Sequence, residues 1–224
     1  MKVDVIDKMG NDLSVVNAAR VSFSKTSEYD TVKPIAGPYS QIKRLKQKDE
    51  KLIKYLAEHE HWSPFAHASI SFRIKAPIFV ARQLVKHQVG LAWNEVSRRY
   101  IDDKPEFYMT DEWRSRPDKS IKQGSGDKII KYDINHAVNV ALETYNDMLE
   151  EGIAPEMARM ILPQNTMTEW IWSGSVYAFS RVCNLRIKPN AQKETGRVAE
   201  QIVKHMQEHF PICTKYLIER PELV

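Results

Sequence analysis

Glycine is scarce in this chain, with eight residues in 224, and no GxGxxG follows an expected strand. That excludes the Gly-rich turn of a Rossmann oxidoreductase, so a bound dinucleotide would have to use strands, helix ends and subunit seams instead. Cysteine is scarcer still: Cys183 and Cys213 stand alone with no CxxC spacing. Together with the absence of a signal peptide at the start, this points to free thiols and a cytoplasmic setting. No apolar run reaches membrane-spanning length. A strong excess of one charge is missing too, since 33 Lys and Arg against 29 Asp and Glu leave a net charge of +4. That balance is too weak to argue for a nucleic-acid protein. At 28% charged and 42% hydrophobic the composition is that of an ordinary globular protein,. The length fits one domain over residues 1–224.

The hydrophobic pattern gives an outline. "MKVDVI" alternates as a strand, "DLSVVNAARVSF" has helical spacing, and residues 24–40 are turn-rich,. From Gln41 to Glu60, Ile42, Leu45, Leu52, Ile53 and Leu56 predict a helix whose lysines form a solvated face. "ASISFRIKA" alternates Ile70, Phe72 and Ile74 against polar residues, a half-buried strand,. Pro77 opens a helix to about Gln88. "EFYMT" predicts a further strand, and residues 111–128 a long polar loop of the kind that serves as a lid. The C-terminal half reads as helical. A long helix from Ile134 ends at Gly152, a short one runs from Pro155 to Leu162, and a third covers Thr168–Asn184. Asn190 caps a fourth, which ends before Pro211. The fold class is α+β, an antiparallel sheet with a helical C-terminal half.

One segment concentrates polar chemistry, "APIFVARQLVKHQVGLAWNEVSRRY" at residues 76–100. On the helix, Arg82 lies above Lys86 and Gln83 above His87 at i,i+4, where like charges destabilise by a few tenths of a kcal/mol. No acid occurs between Glu60 and Glu95. Either a carboxylate from elsewhere in the fold satisfies both cations, or an anion such as phosphate does. If "NEVSRRY" runs extended, Glu95, Ser97 and Arg99 share one face. An acceptor, a hydroxyl and a guanidinium could there read a polar planar ligand and its phosphate.

This segment resembles the signature of the flavin-dependent thymidylate synthases, an RHR triplet, a spacer, then S-x-N-E-x-S-x-R-Y. Here it stands as Lys86-His87-Gln88, Val89–Trp93, then Asn94-Glu95-Val96-Ser97-Arg98-Arg99-Tyr100. "HWSPFAHASISFRIKAPIFVARQ" resembles the strand and helix before that signature. "GIAPEMARMILP" and "NLRIKPNAQKE" resemble the two C-terminal motifs, so the likeness covers about residues 55–205. Lys86 and Gln88 depart from the two arginines. The spacer is one residue longer and lacks the usual serine. Lysine keeps the charge but loses the bidentate fork.

The resemblance implies an α+β homotetramer with sites shared between subunits. It implies methylation of deoxyuridylate to thymidylate, with methylenetetrahydrofolate as carbon donor and FAD, reduced by NADPH, as hydride source. By matched position, Gln83, Lys86, Glu95, Ser97, Arg98, Arg99, Arg159 and Arg186 line the deoxyuridylate site. Arg186 is the catalytic residue, a guanidinium at the pyrimidine edge where negative charge develops. It is expected just before a helix N-terminus, which adds to the local field. Ser63, Lys86, His87, Gln88, Glu95, Ser175, Tyr177, Arg181 and Asn190 are the implied FAD contacts, with His61 beside Ser63. No metal, nucleic acid or membrane is implied.

Three rival readings stand beside this one. Cys183, near Arg186, would serve a synthase with a cysteine nucleophile, although its apolar helix predicts a buried, inert thiol. Lys43–Lys54, Arg98 and Arg99 with Trp93 and Trp113 would serve a nucleic-acid-binding domain. The departures at Lys86 and Gln88 would fit an inactive relative.

Overall fold

The expected first strand and first helix form where their patterns place them. β1 spans Lys2–Met9 and α1 spans Asp12–Arg20, with Asn11 as its N-cap in a reciprocal pair with Ser14. This structure, a computed structural model, describes residues 1–32, 42–119 and 124–219. Part of the expected loop over 24–40, the expected helix start at Gln41, and part of the 111–128 loop lie outside those residues.

The short strands β2 (Asp30–Val32) and β3 (Ile42–Arg44) pair, so α2 begins only at Gln47 and runs to Glu58. The apolar residues at 42 and 45 belong to what precedes the helix. β4 (Ser69–Pro77) alternates as expected, with Ile70, Phe72, Ile74 and Ala76 buried. α3 is shorter than its pattern suggested, Ile78–Leu84, and Lys86 and His87 follow it. β5 (Leu91–Glu95) ends at Glu95, and residues 98–100 turn, so "NEVSRRY" is extended only at its start.

The expected strand at "EFYMT" reduces to one bridge between Phe107 and Thr166. The polar stretch after it holds a hairpin of β6 (Trp113–Arg114) and β7 (Ile129–Ile130). α4 spans Asn135–Glu150, and α5 spans Pro155–Ala158 with a 3₁₀ turn over Arg159–Ile161. Gly152 terminates α4 at φ +80, a left-handed backbone that glycine adopts without a Cβ penalty,.

The expected helix over Thr168–Asn184 is half strand. β8 covers Met167–Ser175 and α6 covers Val176–Arg186. Alternation explains it: Trp170 and Trp172 are buried while Ile171 is exposed, a period of two,. β8 is central, in a sheet of order β1-β4-β8-β5 whose pairings are all antiparallel. α7 (Lys193–His209) is capped by Gln192 and not by Asn190, because a turn closed by Ala191 N–H on the Lys188 carbonyl intervenes. A further helix, α8 (Pro211–Leu217), follows, with Pro211 in its first turn,. The Asp12 carboxylate accepts the N–H groups of Ile212 and Cys213 at 3.0 and 2.8 Å, satisfying donors that α8 leaves free,.

One face of the sheet packs on α3, α6 and α7 through Phe72, Trp172, Phe179, Val198 and Ile202. Each such fully buried side chain contributes roughly 1.5–3 kcal/mol. The packing sets the ends of α3, α6 and α7 side by side at one edge of the core.

Candidate active site

α3 ends close to α6 and α7, and three polar side chains meet there. The Arg186 Nε–H donates to His87 Nε2 at 3.0 Å, and a second guanidinium nitrogen reaches the Gln83 carbonyl at 3.4 Å. Since an arginine N–H only donates, His87 accepts on Nε2 and carries its proton on Nδ1. Burial, and then the charges of Arg186 and Arg181, hold the His87 pKa below the ordinary histidine value. Burial also lowers the pKa of Arg186. The Gln83 amide is fixed at both ends: its nitrogen donates to Gln192 Oε1, and its oxygen accepts from Thr195 Oγ1 at 3.2 Å. Arg186 is the last residue of α6, where a cation is favoured by the helix C-terminus,. The expectation of a following helix N-terminus is therefore corrected, since α7 begins at Lys193.

A cleft of about 480 Å³ opens on this cluster, lined by Gln83, Arg186, Asn190, Gln192 and Arg114. Arg114 donates to Glu194 at 2.8 Å and to Ser125 at 2.7 Å. Burial works to raise the Glu194 pKa, but the Arg114 hydrogen bond and charge outweigh it and leave it lowered. The stretch expected as a lid is thus tied at Arg114 to the start of α7.

A second cleft, about 380 Å³, holds Glu95, Arg98 and Arg159. Arg98 donates to the Asp103 carbonyl at 2.8 Å, Arg99 pairs with Glu156 at 3.4 Å, and Arg159 donates to the Glu156 carbonyl at 3.2 Å. Ser97 Oγ accepts the Arg99 N–H at 3.3 Å. The segment after β5 and the turn after α5 therefore meet at this cleft, where Lys75, Arg98, Lys104 and Arg159 are matched by Glu95, Asp103, Glu106 and Glu169.

A third cleft, about 890 Å³, is largely apolar. Ser175, Tyr177 and Arg181 line it with Trp62, Val89 and Leu91. Ser175 also caps α6, accepting the Ala178 N–H at 3.1 Å. Lys86, Gln88, Ser63 and His61 are exposed and line none of these three clefts. Arg82 and Lys86 take no ion pair among the described residues, so no described carboxylate neutralises the pair. Both side chains face solvent, and because α3 ends at Leu84 the expected i,i+4 helical stacking of Arg82 on Lys86 does not extend to Lys86.

Sequence reasoning missed Gln192, Thr195, Arg114 and Trp62. Gln192 and Thr195 straddle the start of α7, and placing that start correctly would have aligned them with Gln83. Among the described residues no group of three His, Cys, Asp or Glu could hold a metal ion. None of the described helices is long and apolar enough to cross a membrane. Burial raises the thiol pKa of Cys183 far out of the nucleophilic range, and that of Cys213 well up. The lysines of α2 face solvent while its acids are engaged, Asp49 with Arg20 and Glu50 with Lys215.

Residues 4–212 match the sequence family described as thymidylate synthase complementing protein. A flavin-dependent thymidylate synthase of Thermotoga neapolitana is 36% identical, over 93% of this chain and 87% of its own length. That of Thermus thermophilus is 35% identical, over 94% and 73%. A crystal structure of the UMP/dUMP methylase PolB from Streptomyces cacaoi, bound with 5-Br dUMP, superposes with a TM-score of 0.75 at 28% identity. That likeness covers 96% of this chain and 93% of the other.

Proposed function

The chain belongs to the flavin-dependent thymidylate synthase family, and on that premise we propose how its clefts methylate deoxyuridylate to thymidylate. Methylenetetrahydrofolate is the carbon donor, and FAD, reduced by NADPH, supplies the hydride when bound. The observation that carries the reading is the Arg186–His87–Gln83 cluster, a partly buried guanidinium held in one orientation by two acceptors.

Deoxyuridylate presents a dianionic phosphate and a pyrimidine that must gain electron density before its C5 attacks the methylene. Arg186 places N–H donors where negative charge develops on the ring, and their fixed orientation avoids reorganisation during the reaction. Gln83, its amide set by Gln192 and Thr195, orients the nucleotide. Arg82 and Lys86 supply charge that nothing described neutralises. Arg98, Arg99 and Arg159 supply a second phosphate-binding surface, with Ser97 and Glu95 reading the polar edge of the nucleoside.

The residues of the apolar cleft fit FAD. Trp62, Tyr177 and Leu91 offer flat and aliphatic surface to a ring system, and Arg181 stands beside them for a diphosphate,. His87 belongs to the Arg186 cluster and Asn190 lines the cleft beside it, and Ser63, Gln88, Lys86 and Glu95 complete the proposed FAD contacts. No enzyme nucleophile is used, consistent with the buried, protonated thiols.

The proposed residues divide among three separate clefts, with Ser63, Lys86 and Gln88 exposed outside all of them, which supports sites completed by other subunits of a homotetramer. The reading also takes residues 1–224 as one domain and places the enzyme in the cytoplasm, where its free thiols stay reduced,. The test is ligand uptake. Purified protein should take up FAD stoichiometrically, and deoxyuridylate should then perturb the flavin spectrum. Arg186→Ala should keep the flavin and lose most turnover. Protein that stays colourless and binds single-stranded nucleic acid with steep salt dependence would overturn the reading.

A further inference from the structure

We infer that Trp93 and Thr168 are positioning residues that hold the Glu95 carboxylate as a fixed acceptor for a donor group of the nucleotide. The inference rests on the functional reading above, in which Glu95 faces deoxyuridylate.

Glu95 is the last residue of β5 and stands opposite Trp170 of β8 in the sheet register. Its two oxygens are engaged separately. Oε2 accepts the indole N–H of Trp93 at 3.1 Å, and Oε1 accepts the hydroxyl of Thr168 at 2.8 Å. An ionised carboxylate has about four acceptor sites, so each oxygen keeps another for a ligand. Both donors come from the sheet and not from a loop. Trp93 is itself held by stacking on Trp170, with ring centroids 4.4 Å apart and planes 18° apart, and by an edge contact on Trp172 at 5.4 Å. Those two tryptophans are almost wholly buried. The indole N–H is therefore placed by the core, and with it the carboxylate.

Glu95 and Thr168 line the same cleft as Arg98 and Arg159. An unclamped glutamate at this exposed strand end would swing to the neighbouring guanidiniums and be spent as an ion pair. With its oxygens anchored from behind, it remains an acceptor. Deoxyuridylate offers two suitable donors, the imide N–H and the 3′-hydroxyl, and a charged acceptor serves either. Preorganisation of this kind lowers the ordering cost of binding and so acts on affinity more than on the chemical step.

The experiment measures kcat and KM for deoxyuridylate in the FAD-loaded enzyme, with binding of the nucleotide followed separately by calorimetry. Trp93→Phe keeps the ring on Trp170 but removes the N–H. Thr168→Val keeps the shape but removes the hydroxyl. Each should raise KM and Kd for deoxyuridylate about fivefold to tenfold with kcat changed far less. Thr168→Ser restores the hydroxyl and should return to within about twofold of the wild type. In a Glu95→Gln background the effect of Trp93→Phe should shrink to less than about twofold, because the residue acts through Glu95. Thermal melting and near-ultraviolet circular dichroism of each variant show whether the fold is retained. Folded variants with unchanged Kd, or effects that persist fully in Glu95→Gln, overturn the clamp alone. A wild-type protein that takes up no deoxyuridylate overturns both the clamp and the functional reading.

Discussion

Replacing His87 by Ala removes one of the two groups that orient Arg186. The bond lost joins a charged donor to a neutral acceptor at 3.0 Å. Hydrogen bonds to charged groups contribute about 1.5–3 kcal/mol. Arg186 is only partly buried and keeps the Gln83 carbonyl at 3.4 Å, so the low end applies. A loss of about 1.5 kcal/mol corresponds to roughly a tenfold fall in kcat. Because His87 is also proposed to touch FAD, turnover is measured at saturating flavin, with the FAD affinity determined separately. His87→Gln keeps an acceptor near the same place and should lose less. The pH profile separates the two variants further. The native His87 pKa lies below the ordinary 6.5, first through burial and then through Arg186 and Arg181. Between those two values the unfolded chain binds the proton and the native one does not. The stability contributed by the neutral ring is therefore intact above pH 6.5. It falls as the pH drops, and is gone once the native pKa is passed,. Below the native pKa, Nε2 becomes a donor and repels Arg186, so kcat should show an acid limb lower than that of a free histidine. His87→Gln should flatten the limb. A His87→Ala enzyme with wild-type kcat and an unchanged acid limb would refute the assignment.

A Cβ at Gly174 would lie 2.4 Å from Leu91 Cδ2 and 2.7 Å from the Gly90 carbonyl oxygen. Gly174→Ala should push β5 off β8, cost about 1–3 kcal/mol in chemical denaturation, and weaken deoxyuridylate binding through Glu95. Asp49 is fully buried between Arg20 and Ser27. Asp49→Ala leaves Arg20 without its partner and should cost about 3 kcal/mol by denaturant titration, with nucleotide affinity of the folded fraction unchanged. Cys183→Ala should turn over normally, and an inactive but folded variant would restore the cysteine-nucleophile reading. Lys86→Ala should weaken deoxyuridylate more at low than at high salt, since the side chain is an exposed cation without an ion pair among the described residues,.

Long, strongly periodic elements were legible. β1, α1, β4 and α4 stand where alternation or helical spacing placed them, because each has a buried face, the first three against the main core and α4 through Val138 and Tyr145 beside α5. β8 was not legible as a strand. Its nine residues flow directly into α6, and apolar residues at 170, 172, 176 and 179 satisfy a helical spacing almost as well as an alternating one. The aromatic pair Trp170 and Trp172, followed by Gly174, carried the discriminating signal. The helix starts at Gln47 and Lys193 were hidden because neither has a capping side-chain bond, and Asn190 is a residue type that caps more readily than Gln192,. At the site, the cationic segment and Arg186 were visible as residue types. Their partners were not: His87 on Arg186 and Thr195 on Gln83 join separate elements, while Trp93 and Glu95 share a face of β5 only because the strand runs through both. Lys86 and Gln88, the departures from the family signature, follow the end of α3 and face solvent.

Anaerobic turnover tests the central claim most directly. Protein is mixed with deoxyuridylate, methylenetetrahydrofolate, FAD and NADPH, and thymidylate is followed by chromatography. The account predicts thymidylate only when all four are present, and most of it lost in Arg186→Ala. Flavin-loaded, folded protein that makes no thymidylate, or Arg186→Ala at full rate, would contradict it.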